Sequence, residues 1–184
     1  MIKKKGGLRI KKRLTLFVIV IILIISISGC TGTDYDFRDT KWGMSREEVK
    51  AIESAEINEE DADEIIYKVE HYSQDFFCGY KFVNDKLHQG YYIWDGSYLN
   101  PDHYIQAYDD IKEFLIEDYG TPKVDEVIWE DDFPFKTKKT QGYALFTNDV
   151  FLTAGWETEN TKIILVLMNI GTEIRLAITY IRKE

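Results

Sequence analysis

Cys30 divides this chain into two parts that answer to different solvents. All seven basic residues before it (Lys3, Lys4, Lys5, Arg9, Lys11, Lys12, Arg13) lie in a stretch without an acid, and the twelve residues Leu14 to Ile25 are apolar except for Thr15. A positive end stays on the cytoplasmic side while the apolar run enters the bilayer, and this run is shorter than the roughly 20 residues of a comfortable permanent span. Residues 1–29 therefore read as an export signal. The alternatives are an uncleaved signal anchor and a soluble cytoplasmic protein, in which the exposed apolar run would be an aggregation hazard.

Removal of that stretch changes the arithmetic of the remainder. The whole chain of 184 residues carries a formal charge of -9, whereas the 155 residues from Cys30 onward hold 16 basic against 32 acidic side chains and stand at -16. A domain so acidic has no footprint for nucleic acid, and its length fits one ordinary core rather than a large multidomain enzyme. With Cys30 committed elsewhere, Cys78 is the one thiol left. No intramolecular disulfide can then form, and stability has to come from packing.

The residues Ile27-Ser28-Gly29-Cys30 resemble the lipobox of bacterial lipoproteins. That resemblance implies a diacylglyceryl group on the sulfur of Cys30, cleavage before it, and a new amino group open to acylation. Two acyl chains hold a protein on a membrane where one does so only marginally. Residues 30–36 would be a lipidated tether, and 37–184 a single domain with possible subunits 37–98 and 99–184, at the extracytoplasmic face of the cell membrane. Lipid rather than charge must keep it there, because acidic lipid surfaces repel an anionic domain.

Local patterns predict the elements of that domain. Ser45-Arg46-Glu47-Glu48 has capping-box form, with Met44 and Val49 at staple positions, and starts a short helix from Arg46 to Glu53 with Val49 and Ile52 inward. The acidic run Asn58 to Glu64 reads as a solvated loop; it lacks the central glycine of a calcium loop. Strands are expected at Ile65 to Glu70, Asp75 to Val83 and Gln89 to Trp94, where apolar residues alternate or cluster. Phe76, Cys78, Tyr80 and Phe82 share one face, which makes Cys78 a buried structural thiol rather than a nucleophile.

A second helix starts near Asn100-Pro101-Asp102, capped by Asn100 or Asp102, and its stripe Ile105, Tyr108, Ile111, Leu115 and Tyr119 ends at Gly120 and Pro122. Glu130 to Gln141 reads as a loop. Gly142 to Phe146, Phe151 to Trp156, Lys162 to Met168 and Glu173 to Ile181 are the remaining strand candidates. Both halves run helix then strands, so the expected fold is α+β: two helices on one face of a largely antiparallel sheet, possibly two degenerate units. The opposite sheet face would expose some of the 25 aromatic residues beyond the leader; singly they need no function, whereas a contiguous exposed group would mark a partner surface.

The signals for chemistry are thin. His71, His88 and His103 match no zinc spacing, and there is no glycine-rich phosphate loop, serine elbow or paired-cysteine motif. Asp109 with Asp110, Glu117 with Asp118, and Glu130 with Asp131 and Asp132 are the carboxylate pairs from which an envelope hydrolase would have to draw its acid and base. Sequence neighbours on a helix point in different directions, so these read first as a solubilising surface. No residue is nominated as catalytic, cofactor-binding or metal-ligating.

The segment Phe37-Arg38-Asp39-Thr40-Lys41-Trp42-Gly43-Met44-Ser45-Arg46-Glu47-Glu48-Val49-Lys50-Ala51-Ile52-Glu53 is similar to the opening of uncharacterised small lipoproteins of Gram-positive bacteria, as are Ile116 to Lys123 and Gly155 to Thr161. More distantly, Trp42 to Val49 resembles the helix opening of beta-lactamase-inhibitor-like domains and of the small lipoprotein in the outer-membrane protein assembly complex. These resemblances imply helices paired with an antiparallel sheet and a non-enzymatic role in binding an envelope protein. The alternatives are the carboxylate hydrolase and a small solute-capturing lipoprotein, which needs a concave pocket with convergent polar groups.

Overall fold

The chain runs α1 (Arg46–Ile52), β1 (Ile57–Glu60), β2 (Glu64–His71), β3 (Gln74–Val83), β4 (Lys86–Trp94), α2 (Asp102–Tyr119), β5 (Val124–Trp129), α3 (Gln141–Phe146), β6 (Val150–Glu157), β7 (Thr161–Ile170) and β8 (Glu173–Arg182). This computed structural model describes residues 35–171 and 173–184, which belong to one compact unit. The export signal, Cys30 and the start of the tether lie outside the described residues.

All strands join one antiparallel sheet in the order β1-β2-β3-β4-β8-β7-β6-β5. Each half is a helix followed by four antiparallel strands, with α3 inserted between β5 and β6 in the second, and the halves meet where Gln89 to Ile93 of β4 pairs with Ile181 to Ala177 of β8. The expected α+β arrangement is the one found, with the helices on a single face.

The core side of the sheet carries the residues that alternate in sequence. Phe76, Cys78, Tyr80 and Phe82 of β3 are all buried, as are Ile65, Tyr67 and Val69 of β2 and Ile163, Leu165 and Leu167 of β7. Onto this face α2 lays its buried stripe of Ile105, Tyr108, Ile111 and Leu115. α1 contributes Val49, and the Arg46 guanidinium sits 5.0 Å over the Phe82 ring. The capping box forms as expected, with Ser45 accepting from the Glu48 amide and the Glu48 carboxylate accepting from Ser45 N–H at 2.7 Å. Asn100 Oδ1 accepts from the amide of Asp102 at 3.0 Å, but Pro101 holds the cap position of α2 without a side-chain cap, so neither Asn100 nor Asp102 takes that place. Gly120, at φ 77°, ends the helix in a backbone region that favours glycine.

Three expectations fail. Gly142 to Phe146 is helical, not a strand. Its buried residues Gln141, Ala144 and Leu145 recur at helical steps, and a Cβ on Gly142 would lie 2.0 Å from Asp102 Oδ1, so only glycine lets α3 approach the start of α2. Part of the acidic run is a strand rather than a loop, since β1 starts at Ile57 and ends at Glu60 within it; β5, at Val124–Trp129, is a strand for which there was no expectation, and both are sheet edges with almost every residue exposed, so neither alternates. Ile52 points outward, at 40% exposure.

The face away from the helices carries Phe77, Tyr91 and Phe151 among aliphatic residues, while the rings of Tyr67, Phe76, Tyr80, Tyr92 and Tyr180 turn into the core. One cross-strand row on that open face is Phe77, Ile93, Ala177, Val166 and Thr153, all half-buried.

Candidate functional site

The residues that suggested chemistry do not converge. Cys78 is fully buried, and burial pushes its thiol up to about 12, which leaves no thiolate at neutral pH. The three histidines stand on separate elements, and among the described residues no group of three His, Cys, Asp or Glu side chains is placed to hold a metal ion. Asp109 accepts from Lys138 at 3.1 Å, whereas its neighbour Asp110 lines a groove with Glu113 and Glu117. Asp118 accepts from Tyr72 Oη at 2.7 Å, and Glu130, Asp131 and Asp132 remain in an exposed loop. The helix thus assembles carboxylates three and four residues apart, not the adjacent pairs that the sequence displays.

The β2–β3 turn shows how the halves are fastened. Tyr72 and Ser73 adopt φ 48° and 58°, values that favour Asn or Gly in a two-residue hairpin turn. Contacts from the second half hold Tyr72 there: its ring stacks on Phe114 of α2 at 4.8 Å and its hydroxyl donates to Asp118. His71 stacks on Tyr92 at 4.3 Å, and its Nε2 is buried without a partner.

Burial, reinforced by the positive field of Arg38 and opposed by Asp118, lowers His71 to about 4. The folded pKa lies below the unfolded value near 6.5, so acid favours the unfolded chain. The stability His71 contributes is complete above about pH 6.5 and is lost as pH falls through 4. Discounted for its solvent-facing edge, the loss is about 2 kcal/mol. Urea titrations at pH 7 and pH 4.5 should converge when His71 is replaced by Phe, once the acid loss common to both proteins is subtracted; an unchanged pH dependence contradicts this assignment.

The most exposed apolar group gathers at one end of the sheet. Tyr98, Leu99, Pro101, Tyr104, Phe146, Asn169, Gly171 and Ile174 line a groove of about 380 Å³. Three connections build it. The loop after β4 carries Tyr98, whose ring leans on Trp94 at 4.9 Å and whose amide donates to Tyr104 Oη at 3.0 Å. The end of α3 brings Phe146, and the β7–β8 turn brings Asn169 and Gly171, the latter at φ 73°.

Leu99 is wholly exposed, Phe146 is 64% exposed and Ile170, beside the groove in sequence, is 56% exposed. Such side chains scattered singly need no function; gathered on one rim they mark a contact surface. The floor has polar character too. Asn169 donates through Nδ2 to the Phe146 carbonyl at 2.9 Å, while its Oδ1 is buried without a partner. Tyr104 accepts from Tyr98 and keeps its own proton to donate. The groove is therefore an aromatic and aliphatic wall, with the unpartnered acceptor Asn169 Oδ1 buried beneath its surface.

The groove lies at the opposite end of the strands from the amino-terminal segment. Trp42 Nε1 donates to Thr161 Oγ1 at 2.9 Å, and Gly43 N–H donates to the Leu87 carbonyl at 2.9 Å, both at the starts of β7 and β4. Asn169, by contrast, is the last but one residue of β7, eight residues and about 26 Å further along the strand. None of the groove residues was marked as functional from the sequence; Pro101 was named only as part of the start of a helix. The available signal was the apolar pair Tyr98-Leu99 standing in the otherwise polar loop Asp95 to Asn100.

The chain matches no protein-family model, no curated protein and no solved structure. Among the described residues no helix is long and apolar enough to cross a membrane.

Proposed function

We propose that the chain is a lipid-anchored extracytoplasmic protein-binding module that holds its partner at the groove formed by Tyr98, Leu99, Tyr104, Phe146, Asn169 and Ile174. The observation that carries the binding role is the exposed rim: Leu99 and Phe146 expend apolar surface on solvent beside a concave wall, as an unoccupied contact surface does. The anchor is supported by the basic and apolar leader and by Ile27-Ser28-Gly29-Cys30. The tether joins the domain at the end away from the groove, so the groove faces an extracytoplasmic partner more readily than lipid.

The partner is a basic polypeptide that inserts an apolar side chain between Leu99 and Phe146. The acidic balance of the domain, and α2 with Asp102, Asp109, Asp110, Glu113, Glu117 and Asp118 against Lys112, ask for the positive charge.

A photo-crosslinking residue at position 99 of the membrane-bound chain tests this reading. One reproducible adduct is expected, lost on Phe146→Asp and weakened by salt. No adduct, or an adduct insensitive to Phe146→Asp, contradicts it. Cys30→Ser should shift the protein out of the fraction it occupies when lipidated; unchanged retention and unchanged processing would favour a signal anchor.

A further inference from the structure

We propose that the β5 edge of the sheet takes an extended, basic segment of another protein as a ninth strand. β5 stands last in the strand order, so one of its sides has no neighbour in the sheet. Along an antiparallel pair the hydrogen-bonded residues alternate. Glu130 N–H donates to the Asp149 carbonyl at 2.8 Å, and in the same register Val124, Glu126 and Ile128 turn their backbone groups toward β6. The other side of β6 agrees: Thr158 N–H donates to the Thr161 carbonyl at 2.9 Å, which gives the even-numbered residues of β6 to β7 and leaves Phe151, Thr153 and Gly155 for β5. The N–H and C=O groups of Asp125, Val127 and Trp129 therefore point outward, in a row with the spacing of a strand.

The two edges of the sheet differ in how they meet such a ligand. β1 has four residues, its register shifts between Ile57 and Glu59, and its Glu60 is tied to Arg46 at 3.2 Å and to Lys50. A short, bulged and charge-locked strand is a poor template for pairing. β5 keeps unbroken register with β6 over six residues and exposes Val124, Val127 and Ile128 by 44%, 39% and 37%.

Charge decides the occupant. Asp125 meets Lys112 of α2 at 3.1 Å, which sets Asp125 on the helical side and Val124, Glu126 and Ile128 on the open side. Glu126, Glu130 and Asp132 are exposed and have no ion-pair partner among the described residues. A lysine or arginine beside Glu126, flanked by aliphatic residues beside Val124 and Ile128, completes the open face of the new pair. A second copy in that place would crowd the Glu126 side chains of two strongly anionic chains onto one short ladder. The edge shares no lining residue with the groove, so either surface can be occupied without the other.

Nitrogen-15 NMR of the full chain in a non-ionic detergent tests this with two short peptides, one of alternating valine and lysine and one of alternating valine and glutamate. The lysine peptide is expected to slow hydrogen exchange at the amides of Asp125, Val127 and Trp129, and the glutamate peptide to leave them unchanged. Val127→Pro removes an outward N–H that β6 does not use, so the fold should persist and the protection should vanish. Glu126→Lys leaves the backbone untouched; it should weaken the lysine peptide roughly tenfold and reverse the preference between the two. No protection at these amides, protection at the groove or at β1 instead, equal effects of both peptides, or protection that survives Val127→Pro overturns the proposal. So does a chain that pairs with its own copy through β5 when no peptide is present.

Discussion

Replacing Arg38 with Met is expected to lower the unfolding free energy by about 3 kcal/mol, the cost of breaking a buried ion pair from one side. Arg38 Nε lies 2.9 Å from Glu53 Oε2, Nη2 lies 3.2 Å from Oε1, and the Glu53 side chain is only 3% exposed. The carboxylate also accepts from Tyr80 Oη at 2.8 Å and from the amides of Ser54 and Ala55 at 3.0 and 3.1 Å. These neutral donors persist in the variant, which places the loss at the lower end of the range for such pairs. They do not supply a positive charge, so the residual carboxylate is left buried without its counter-charge. Adding Glu53→Gln should restore part of the loss, because the remaining group is then neutral and still hydrogen-bonded. A urea midpoint for Arg38→Met close to that of the parent contradicts a structural role for this pair.

A comparable loss, about 2–3 kcal/mol, is expected for Gly90→Ala. The Phe37 ring lies flat over Gly90, and an added Cβ would stand 2.2 Å from Phe37 Cδ1. That ring cannot withdraw without cost, since it also packs against Tyr80, Tyr92 and Tyr180 with centroid separations of 5.0 to 5.3 Å. The amino-terminal segment is thereby bolted to the junction of the halves, where Gly90 pairs with Tyr180. Phe37→Leu alone removes packing, yet it makes room for the new methyl group. The double variant should therefore be more stable than the sum of the two single losses. Additive losses in denaturant titrations would mean that the strain at Gly90 has another origin.

Legibility in the sequence followed burial. Alternation at Phe76, Cys78, Tyr80 and Phe82 and the stripe along α2 were readable because each faces one core. β1 and β5 were unreadable for the opposite reason: edge strands with solvent on both faces leave no period in the residues. Gly142 to Phe146 is too short for its period to separate strand from helix, and the decisive contact, Gly142 against Asp102, is tertiary. The pairing of β4 with β8 likewise joins segments far apart in the chain, beyond the reach of local pattern. The groove combines a β4 loop, the end of α3 and the β7–β8 turn, so only the topology assembles it. Within it, Leu99 carries a hint that an alternation argument discards: an apolar side chain in a polar loop is either an error of the fold or part of a contact.

Everything about where this groove points depends on Cys30. The intact mass of the protein recovered from membranes tests that dependence directly. The expected mass is that of residues 30–184 plus a diacylglyceryl group, with or without an added acyl chain. A mass equal to the unprocessed 184 residues would contradict the account.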